Sequence, residues 1–255
     1  MAARRIVSLV PSTTELLCAL GLADALVGVT VYCVEPRDVV RGKRRIGGEK
    51  NPDVAAIRAL APDLVVANTE ENRREDVEAL RAAGLEVLVT YPRTVDESLA
   101  MIRELGDATG AVAAARTLAE DLAARCARTR ARLAARAPTP VFYPIWRAPW
   151  MTVGGDTYIH DVLATCGGAN VFADRARYPS TTLDEVATLA PEVVLLPDEP
   201  FRFRRVHLRD FEGYPAMPAV RQRRLHLVDG KRFSWHGPRL AEALETVPAL
   251  LGHPS

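Results

Sequence analysis

A short helix–turn–strand pattern occurs twice in the chain at a constant offset of 129 positions, where Ala56–Val66 matches Glu185–Leu195. Each copy reads as the apolar end of a helix, a Leu-Ala-Pro-acid turn and an apolar strand. Glu70 and Glu199, just beyond the two strands, keep the same offset. A chance match of a common element is the alternative, but the blocks around the two copies also share their element order. The repeat therefore predicts two pseudo-equivalent α/β lobes.

A long helical segment, Val95–Arg136, separates the two copies. Its second half, Ala111–Arg136, contains no Gly or Pro and consists mainly of strong helix formers. At 1.5 Å per residue this half spans roughly 39 Å, which is long enough to join two lobes. A surface helix of one domain is the alternative. We expect an N-terminal α/β lobe at 1–93, connecting helices at 94–138 and a C-terminal α/β lobe at 139–255.

Strands and helices alternate on both sides of this segment, which predicts parallel βα units. We expect strands at Arg5–Val10, Leu26–Val31, Leu64–Ala67, Leu85–Thr90, Val141–Ile145, Val193–Leu196 and Arg224–Val228. Helices are expected after Pro11 and at Pro52–Leu60, Arg73–Ala83, Tyr158–Cys166, Leu183–Leu189 and Pro238–Leu251. Val34–Asn51 and Trp146–Asp156 are interpreted as loops, and Arg202–Phe211 is ambiguous. The predicted fold class is α/β, with two Rossmann-like lobes of parallel sheet joined by a long rigid α-helix.

Composition excludes several classes of partner and location. With 48% hydrophobic residues and a net charge of +1, the 255-residue chain gives no sign of a nucleic-acid partner. It has no apolar run long enough for a membrane span, and no signal peptide precedes the first strand. The cysteines at positions 18, 33, 126 and 166 form no CxxC pair. These features predict a cytoplasmic monomer with reduced thiols.

Known catalytic motifs are missing from the sequence. Gly47–Asn51 lacks the spacing of a phosphate loop, and Gly154-Gly155-Asp156 is not a dinucleotide fingerprint. No GxSxG motif exists, and Ser12 is interpreted as a helix cap rather than a nucleophile. We therefore expect a binding protein with no catalytic residues, no intrinsic cofactor and no metal site of its own.

Candidate ligand-binding residues follow the predicted strands, because ligands of open parallel sheets lie beyond the carboxyl ends of the strands. Aromatic residues are concentrated in the second block, where Trp146 and Trp150 stand in a Pro-containing loop. We expect Trp146 and Trp235 to flank a planar ligand, although packing against the connecting helices is the alternative. Cys33 is either a soft metal ligand or a buried thiol, and Arg147 is a candidate for polar ligand groups. The full predicted site comprises Ser12, Thr13, Tyr32, Asn68, Tyr91, Trp146, Trp150, Asp198, Trp235 and His236.

Three segments carry a family resemblance: Arg5–Leu16, Gly47–Asp53 followed by Ala61–Val65, and Cys166–Phe172. They resemble the helical-backbone (class III) substrate-binding proteins of ABC importers, and are most similar to the vitamin B12 (cobalamin) binding branch. The resemblance implies two lobes joined by a rigid helix, with a metal chelate held between them. It also implies a permease partner, for which only the first lobe offers docking acids, namely Glu70, Glu71 and Glu75. Members of that family are usually periplasmic proteins or extracellular lipoproteins.

The predicted function is the binding of a cobalamin-like metal chelate, linked to ABC-type uptake. An iron–siderophore or haem binding protein, or a cytoplasmic carrier derived from this family, is the first alternative. A nitrogenase-like metallocofactor enzyme component is a further alternative, but it would need several cysteines facing one cleft. The four cysteines of this chain are scattered instead.

Overall fold

Residues 4–253 are described by the computed structural model, and they divide into two units. Unit 1 contains the residues up to Pro92, Asp96–Ala123 and Trp235–Pro238. Unit 2 contains Arg93–Val95, Ala124–Ser234 and the residues from Arg239 onward. No helix within the described part of the chain is both long and apolar enough to cross a membrane.

Unit 1 begins with alternating strands and helices, as the sequence predicts. Its elements are β1 (Ile6–Ser8), α1 (Pro11–Ala19), β2 (Leu26–Val29), α2 (Arg37–Val40), β3 (Arg44–Arg45), β4 (Gly47–Gly48), β5 (Asn51–Pro52), α3 (Val54–Ala59), β6 (Leu64–Asn68), α4 (Arg74–Ala82) and β7 (Val87–Thr90). Five strands form a parallel sheet in the order β3-β2-β1-β6-β7, and β4 pairs with β5 as a small antiparallel hairpin. The predicted loop Val34–Asn51 therefore contains one short helix, two short strands and the first residue of a third.

The core of unit 1 follows from the two-residue period of its strands. Val7 on the central strand, Leu9 just after it, and Val65 and Ala67 on the neighbouring strand belong to one buried cluster. Ile57 of α3 and Val77 and Leu80 of α4 cover this face of the sheet. Burying such side chains stabilises a fold by about 1.5–3 kcal/mol each, so this face anchors the strands whose ends carry the candidate site.

Two helices occupy the long segment in the middle of the chain, α5 (Val95–Thr109) and α6 (Val112–Leu133). They are separated at Gly110, which adopts a left-handed backbone with φ of 77°. The uninterrupted helix expected at Ala111–Arg136 is thus confirmed, with its ends a few residues shorter. The boundary between the units falls inside α6, after Ala123.

Unit 2 has more irregular elements than unit 1. They are β8 (Thr139–Phe142), β9 (Pro144–Trp146), β10 (Trp150–Thr152), α7 (Tyr158–Thr165), β11 (Gly168–Asn170), β12 (Ser180–Thr181), α8 (Leu183–Thr188), β13 (Val193–Pro197), a 3₁₀ helix (Arg205–Phe211), α9 (Pro218–Arg221), β14 (Leu225–Val228), α10 (Lys231–Ser234) and α11 (Arg239–Leu250). A parallel sheet has the order β11-β8-β13-β14, and an antiparallel sheet has the order β12-β10-β9.

These elements correct one loop assignment in unit 2 and resolve one ambiguous segment. The expected loop Trp146–Asp156 contains β10, which pairs with both β9 and β12. The ambiguous segment Arg202–Phe211 contains a 3₁₀ helix. Both elements depend on partners distant in the sequence, such as Ser180 and Thr181 for β10, so local patterning gave no signal for them.

The two copies of the sequence repeat have matching backbones. α3 and α8 are followed by Leu60 and Leu189 in helical geometry, and then by Ala61 and Ala190 with positive φ angles of 42° and 50°. The amide of Asp63 donates to the carbonyl of Arg5 at 2.8 Å, and that of Glu192 donates to the carbonyl of Pro140 at 2.9 Å. The repeat is therefore structural, and the predicted α/β class with parallel sheets is confirmed.

Candidate functional site

Each parallel sheet has one point at which the strand order reverses, and ligands of such sheets bind outside the carboxyl ends of the strands at that point. In unit 1 the reversal occurs at β1, which has β2 on one side and β6 on the other. In unit 2 it occurs at β8, which lies between β11 and β13. Ligand contacts are therefore expected first among the residues that follow β1, β6, β8 and β13.

The carboxyl edge of unit 1 carries exposed apolar side chains. Tyr32, in the loop after β2, is 59% exposed, and Tyr91, directly after β7, is 39% exposed. Val31 and Val34 flank Tyr32 and are 51% and 48% exposed. The sequence prediction included both tyrosines but not the two valines, although their apolar character beside a strand end was a usable signal. Large apolar residues exposed together on one edge are typical of a contact surface.

Asn68 at the end of β6 makes its contacts within the protein. The residue is 4% exposed, its Nδ2 donates to Thr90 Oγ1 at 3.1 Å, and its Oδ1 accepts from the amide of Glu70 at 2.8 Å. Asn72 supports the same loop, because its Oδ1 accepts from the amide of Asn68 at 2.8 Å. Asn68 thus shapes the loop after β6, and its role as a ligand contact stays a prediction.

Trp235 and His236 belong to unit 1, although the chain reaches them from α10 of unit 2. Trp235 is 7% exposed. A Cβ atom built on Gly237 would lie 3.3 Å from Leu16 Cδ1, so this segment packs on α1. The small exposed area of Trp235 favours packing within unit 1, and its expected place beside Trp146 remains untested.

The imidazole of His236 is held in its neutral form. Burial lowers the pKa of His236 to about 4, and a hydrogen bond to the backbone carbonyl of Pro92 opposes this shift only in part. That carbonyl follows β7, so the ring also fixes the backbone next to Tyr91. The ring therefore has a structural partner, and its expected contact with a ligand stays a prediction.

Trp146 is the more exposed of the two tryptophans in unit 2. It ends β9, is 43% exposed, and its ring meets Phe201 edge-on at a centroid distance of 5.6 Å. Phe201 follows β13, so this ring pair lies where the carboxyl ends of β8 and β13 meet. A rigid strand and a packed neighbour hold the indole with much of its surface available to a ligand.

Trp150 has a different environment although it lies only four residues away. Its ring stacks on Phe203 at 5.7 Å with an interplanar angle of 14°, and it meets the edge of Phe211 at 5.7 Å. Trp150 also packs against the buried cluster of unit 2 that contains Phe142. Trp146 is the register partner of Met151, the residue after Trp150, so side-chain alternation places the two tryptophans on opposite faces of the β9–β10 hairpin.

Two polar side chains of the predicted region pair within unit 2. Arg147 forms a two-point ion pair with Asp210, with distances of 2.6 and 2.9 Å, and this hydrogen-bonded pair lowers the pKa of Asp210. Asp198 is exposed, and its Oδ1 accepts from the amide of Gly230 at 2.9 Å. The pairing of Arg147 leaves it less suited to bind polar ligand groups than the sequence suggested.

Phe201, Phe203 and His207 form a ring cluster that the sequence reasoning did not include in the site. The two phenylalanine rings are 4.8 Å apart, and His207 lies 5.3 Å from Phe201. His207 Nδ1 accepts from the amide of Arg204 at 3.0 Å, which assigns the proton of the neutral ring to Nε2. In the sequence, the alternation Phe-Arg-Phe after the predicted strand Val193–Leu196 could have indicated that these rings belong to the site.

Cys33 is a buried thiol, one of the two interpretations that its sequence allowed. It is fully buried, and the hydroxyls of Thr14 and Thr30 lie 3.1 and 3.2 Å from its sulfur. Burial raises the pKa of Cys33, so the thiol stays protonated. Among residues 4–253, no three His, Cys, Asp or Glu side chains gather in a way that could hold a metal ion.

Comparison with known proteins identifies the family of the chain. A family profile described as periplasmic binding protein matches residues 6–231. The chain belongs to the periplasmic binding protein family. A vitamin B12-binding protein of Yersinia pestis (strain Pestoides F) is 31% identical over 196 residues, which cover 76% of this chain and 70% of the relative.

Solved structures of periplasmic binding proteins agree with this membership. The crystal structure of the periplasmic vitamin B12 binding protein BtuF of Vibrio cholerae has a TM-score of 0.86 and 25% identity, and the match covers 98% of this chain and 97% of that one. The periplasmic heme-binding protein RhuT from Roseiflexus sp. RS-1, in its apo form, has a TM-score of 0.86 and 26% identity over 98% of each chain.

These comparisons decide several expectations. The resemblance to substrate-binding proteins and the expectation of a binding protein rather than an enzyme are confirmed. The expected cytoplasmic location is wrong, because the matching family and the similar solved structures are periplasmic. The error came from reading a location from the start of the sequence, which carries less information than the family of the whole chain.

Proposed function

We propose that this periplasmic binding protein binds a cobalamin-like metal chelate, without changing it chemically, for uptake by an ABC permease. The observation that carries the proposal is Trp146, a 43% exposed indole held by Phe201 at the carboxyl edge of unit 2. Flat aromatic side chains bury a large area at a low cost in conformational entropy. Such a surface suits the face of a corrin ring.

The carboxyl edge of unit 1 supports the same proposal. Tyr32 and Tyr91 combine an exposed ring with a phenolic hydroxyl, which can bind the amide groups at the rim of a corrin. The nearby Val31 and Val34 add apolar area. Sites for small ligands usually combine apolar surface with a few polar groups in this way.

Haem is the second candidate ligand. The heme-binding protein from Roseiflexus is as similar in structure as the vitamin B12 binding protein from Vibrio cholerae, with a TM-score of 0.86 in both cases. Porphyrin and corrin rings are both flat, so the aromatic surface alone suits either. An iron–siderophore complex is a third possibility from the same resemblance.

The test is a direct binding titration of the purified protein with cyanocobalamin, haemin and a ferric hydroxamate siderophore. Absorbance and tryptophan fluorescence report the complex, since Trp146 should be quenched by a bound chelate. We expect the tightest binding with cyanocobalamin. Tighter binding of haemin or of the siderophore complex would replace the proposed ligand, and the absence of binding to all three would reject the function.

Glu70, Glu71 and Glu75 are the proposed docking acids toward a permease. They lie in or just after the loop that follows β6, and Lys50 donates to the carbonyl of Glu70 at 2.6 Å. Burial raises the pKa of Glu71, so the more exposed Glu75 is better placed to present a charge. Glu199, the counterpart of Glu70 in the repeat, is not proposed as a docking acid, because its Oε1 accepts a hydrogen bond from Ser234 Oγ at 2.9 Å.

The permease contact can be tested separately from ligand binding. Replacing Glu70 and Glu75 by Gln should abolish stimulation of the transport ATPase by the loaded protein and leave its affinity for the chelate unchanged. Replacing Glu78, an exposed acid of α4 paired with Arg74, is the matched control. Unaltered stimulation by the Glu70, Glu75 variant would reject these docking acids.

A further inference from the structure

Residues 201–209 follow β13 and run into the 3₁₀ helix, and they contain four arginines but no acidic residue. All four arginines are exposed, and Val206 among them is 57% exposed. Within the described residues 4–253, none of these four arginines forms an ion pair. We call Arg202, Arg204, Arg205, Val206 and Arg209 the arginine surface.

This concentration of positive charge is unlike the rest of the chain. Basic and acidic residues are almost balanced overall, with 33 Lys and Arg against 32 Asp and Glu. Elsewhere in unit 2 several arginines have acidic partners, for example Arg175 with Glu185 and Arg232 with Glu242. Four like charges within one short segment repel one another, and protein surfaces usually mix both signs. A negatively charged partner would remove that repulsion.

Buried neighbours fix the backbone beneath the arginine surface. Phe203 and Phe211 are 4% and 0% exposed and belong to the buried cluster of unit 2. Asp210, next to Arg209, is held by its two-point ion pair with Arg147. The arginine surface is therefore displayed by a well-anchored segment, although no ion pair among the described residues restrains its guanidinium groups.

Local geometry directs members of the arginine surface outward. The amide of Phe203 donates to the carbonyl of Phe201 at 3.0 Å, which places Arg202 at the tip of a tight turn. A 3₁₀ helix has three residues per turn, so Val206 and Arg209 share one face of it, while the buried Phe211 lies on another. Val206 thus adds exposed apolar area next to a guanidinium group.

The headgroups of an anionic membrane fit this combination of residues. Guanidinium groups bind phosphate oxygens through two parallel hydrogen bonds, and each basic residue near an anionic leaflet strengthens binding roughly fivefold. An exposed aliphatic side chain among them can enter the boundary between headgroups and acyl chains. The family of this chain is periplasmic, so membranes bound its compartment.

An acidic protein surface is the competing partner. It would need carboxylates at spacings matched to the four guanidinium groups, whereas lipid headgroups diffuse and adopt any spacing. Arginine side chains without a fixed ion pair suit a fluid array of phosphates better than a rigid partner, because holding each one in a single orientation costs conformational entropy. The arginine surface therefore favours a lipid partner.

We propose that the arginine surface of unit 2 binds the phosphate headgroups of an anionic phospholipid membrane, with Val206 at the boundary between headgroups and acyl chains. The contact is mainly electrostatic, so it is reversible and weakens with salt. It concentrates the binding protein at the membrane surface. This role is independent of the chelate that the protein carries.

The first experiment uses the full-length protein without any chelate. Co-sedimentation is measured with vesicles of phosphatidylcholine alone and with vesicles that contain an equal part of phosphatidylglycerol. We expect binding only to the phosphatidylglycerol vesicles, and its loss when NaCl is raised from about 20 mM to about 500 mM. Replacing the four arginines of the arginine surface by Gln should weaken binding by about a hundredfold or more.

A charge-matched variant is the control. Arg41, Arg58, Arg116 and Arg128 are exposed arginines in other parts of the chain, and replacing them by Gln changes the net charge by the same amount. This variant should lose less than about tenfold in affinity for the vesicles. The melting temperatures of both variants should stay close to that of the unaltered protein, because exposed substitutions of this kind cost little stability.

A further variant reports contact at the arginine surface itself. The indole of Val206→Trp should shift its emission to shorter wavelength on phosphatidylglycerol vesicles and be quenched by brominated phosphatidylglycerol. Val112→Trp is the matched control, because Val112 is 51% exposed and lies at the start of α6 in unit 1. Its emission should not change when vesicles are added.

Equal losses of vesicle binding in the two quadruple variants would overturn the proposal, because net charge alone would then explain the affinity. An unaltered protein that does not bind phosphatidylglycerol vesicles, or an unchanged emission of Val206→Trp, would also overturn it. Binding to immobilised poly-L-glutamate that depends on the arginine surface, without binding to vesicles, would assign that surface to an acidic protein instead. Failure of the chelate titration would reject the proposed function and leave membrane binding intact.

Discussion

Gly106 of α5 and Ala115 of α6 touch so closely that a Cβ atom on Gly106 would lie 2.3 Å from the Cβ atom of Ala115. Both residues are buried in unit 1, and Ala115 is only 1% exposed. The two helices therefore meet at a point where no side chain fits on the α5 side. A glycine inside a helix destabilises it by about 0.5–1 kcal/mol relative to alanine. The close approach of α5 and α6 explains why glycine nevertheless occupies position 106.

The first prediction concerns Gly106→Ala. Better helix propensity should stabilise the variant by up to about 1 kcal/mol, but overpacking against Ala115 costs about 1–3 kcal/mol. We expect a net loss of about 1 kcal/mol, measured as a lower urea midpoint. Gly42→Ala is the control, because no atom lies within 4 Å of its Cβ position. Unchanged or increased stability of Gly106→Ala would show that the helices can separate at little cost.

The second prediction separates the roles of the two tryptophans of the β9–β10 hairpin. Trp146→Ala should weaken chelate binding by about ten- to a hundredfold, the effect of removing a contact worth roughly 2 kcal/mol, and change the melting temperature by only a few degrees. Trp150→Ala removes the stack on Phe203 and should lower stability by roughly 3 kcal/mol. Affinity and melting are measured on both variants. The reverse pattern would mean that Trp146 is the packing residue.

The third prediction follows from the lowered pKa of His236. The unfolded chain binds a proton at this residue below pH 6.5, whereas the folded chain resists protonation until about pH 4. Stability is therefore lost as the pH falls through this window, by up to about 1.4 kcal/mol per pH unit. His236→Gln should remove this part of the acid sensitivity, measured by urea unfolding between pH 7 and pH 4. An NMR titration of the His236 ring with a midpoint above pH 6 would contradict the explanation.

The fourth prediction uses the left-handed alanines of the repeat. Ala61 and Ala190 are exposed and have φ angles of 42° and 50°, a conformation that costs a residue with a Cβ atom about 1–2 kcal/mol. Glycine would relieve that cost but increase the entropy of the unfolded chain by about 0.4–1 kcal/mol. Ala61→Gly and Ala190→Gly should each stabilise the protein by about 0.5 kcal/mol.

The matched control for these substitutions is Ala55→Gly, at an exposed position inside α3. It should destabilise the protein by about 0.5–1 kcal/mol, because the helical backbone gains nothing from glycine. All three variants are compared by thermal and urea unfolding. Destabilisation by Ala61→Gly as large as that of Ala55→Gly would reject the interpretation of backbone strain.

The fold was largely predictable from the sequence because its main elements have local signals. The helix at Val112–Leu133 contains no glycine or proline, and the strands Leu64–Asn68 and Val193–Pro197 are apolar runs that follow a Leu-Ala-Pro turn. The β9–β10 hairpin was missed because Pro149 suggested a loop and because β12, its other partner, lies about thirty residues later.

The carboxyl edges of the strands were predictable from the sequence, but the exposure of each side chain on them was not. Strand order identifies the carboxyl edges, and residues such as Tyr32 and Trp146 could be assigned to them from the sequence. The exposure of each side chain depends on distant partners, such as Phe203 and Phe211 for Trp150.

Unit 1 is assembled from three separate stretches of the chain, the last of which is the four-residue segment Trp235–Pro238. No single continuous gene fragment therefore encodes unit 1 by itself, and a cut at its border with unit 2 passes through the helix Val112–Leu133. Recombination that exchanged the first 92 codons for those of a relative would leave α5, half of α6 and Trp235 facing a foreign sheet. The two halves of this protein are consequently expected to be inherited together, and changes of ligand should arise by substitutions at the strand ends rather than by exchange of whole units.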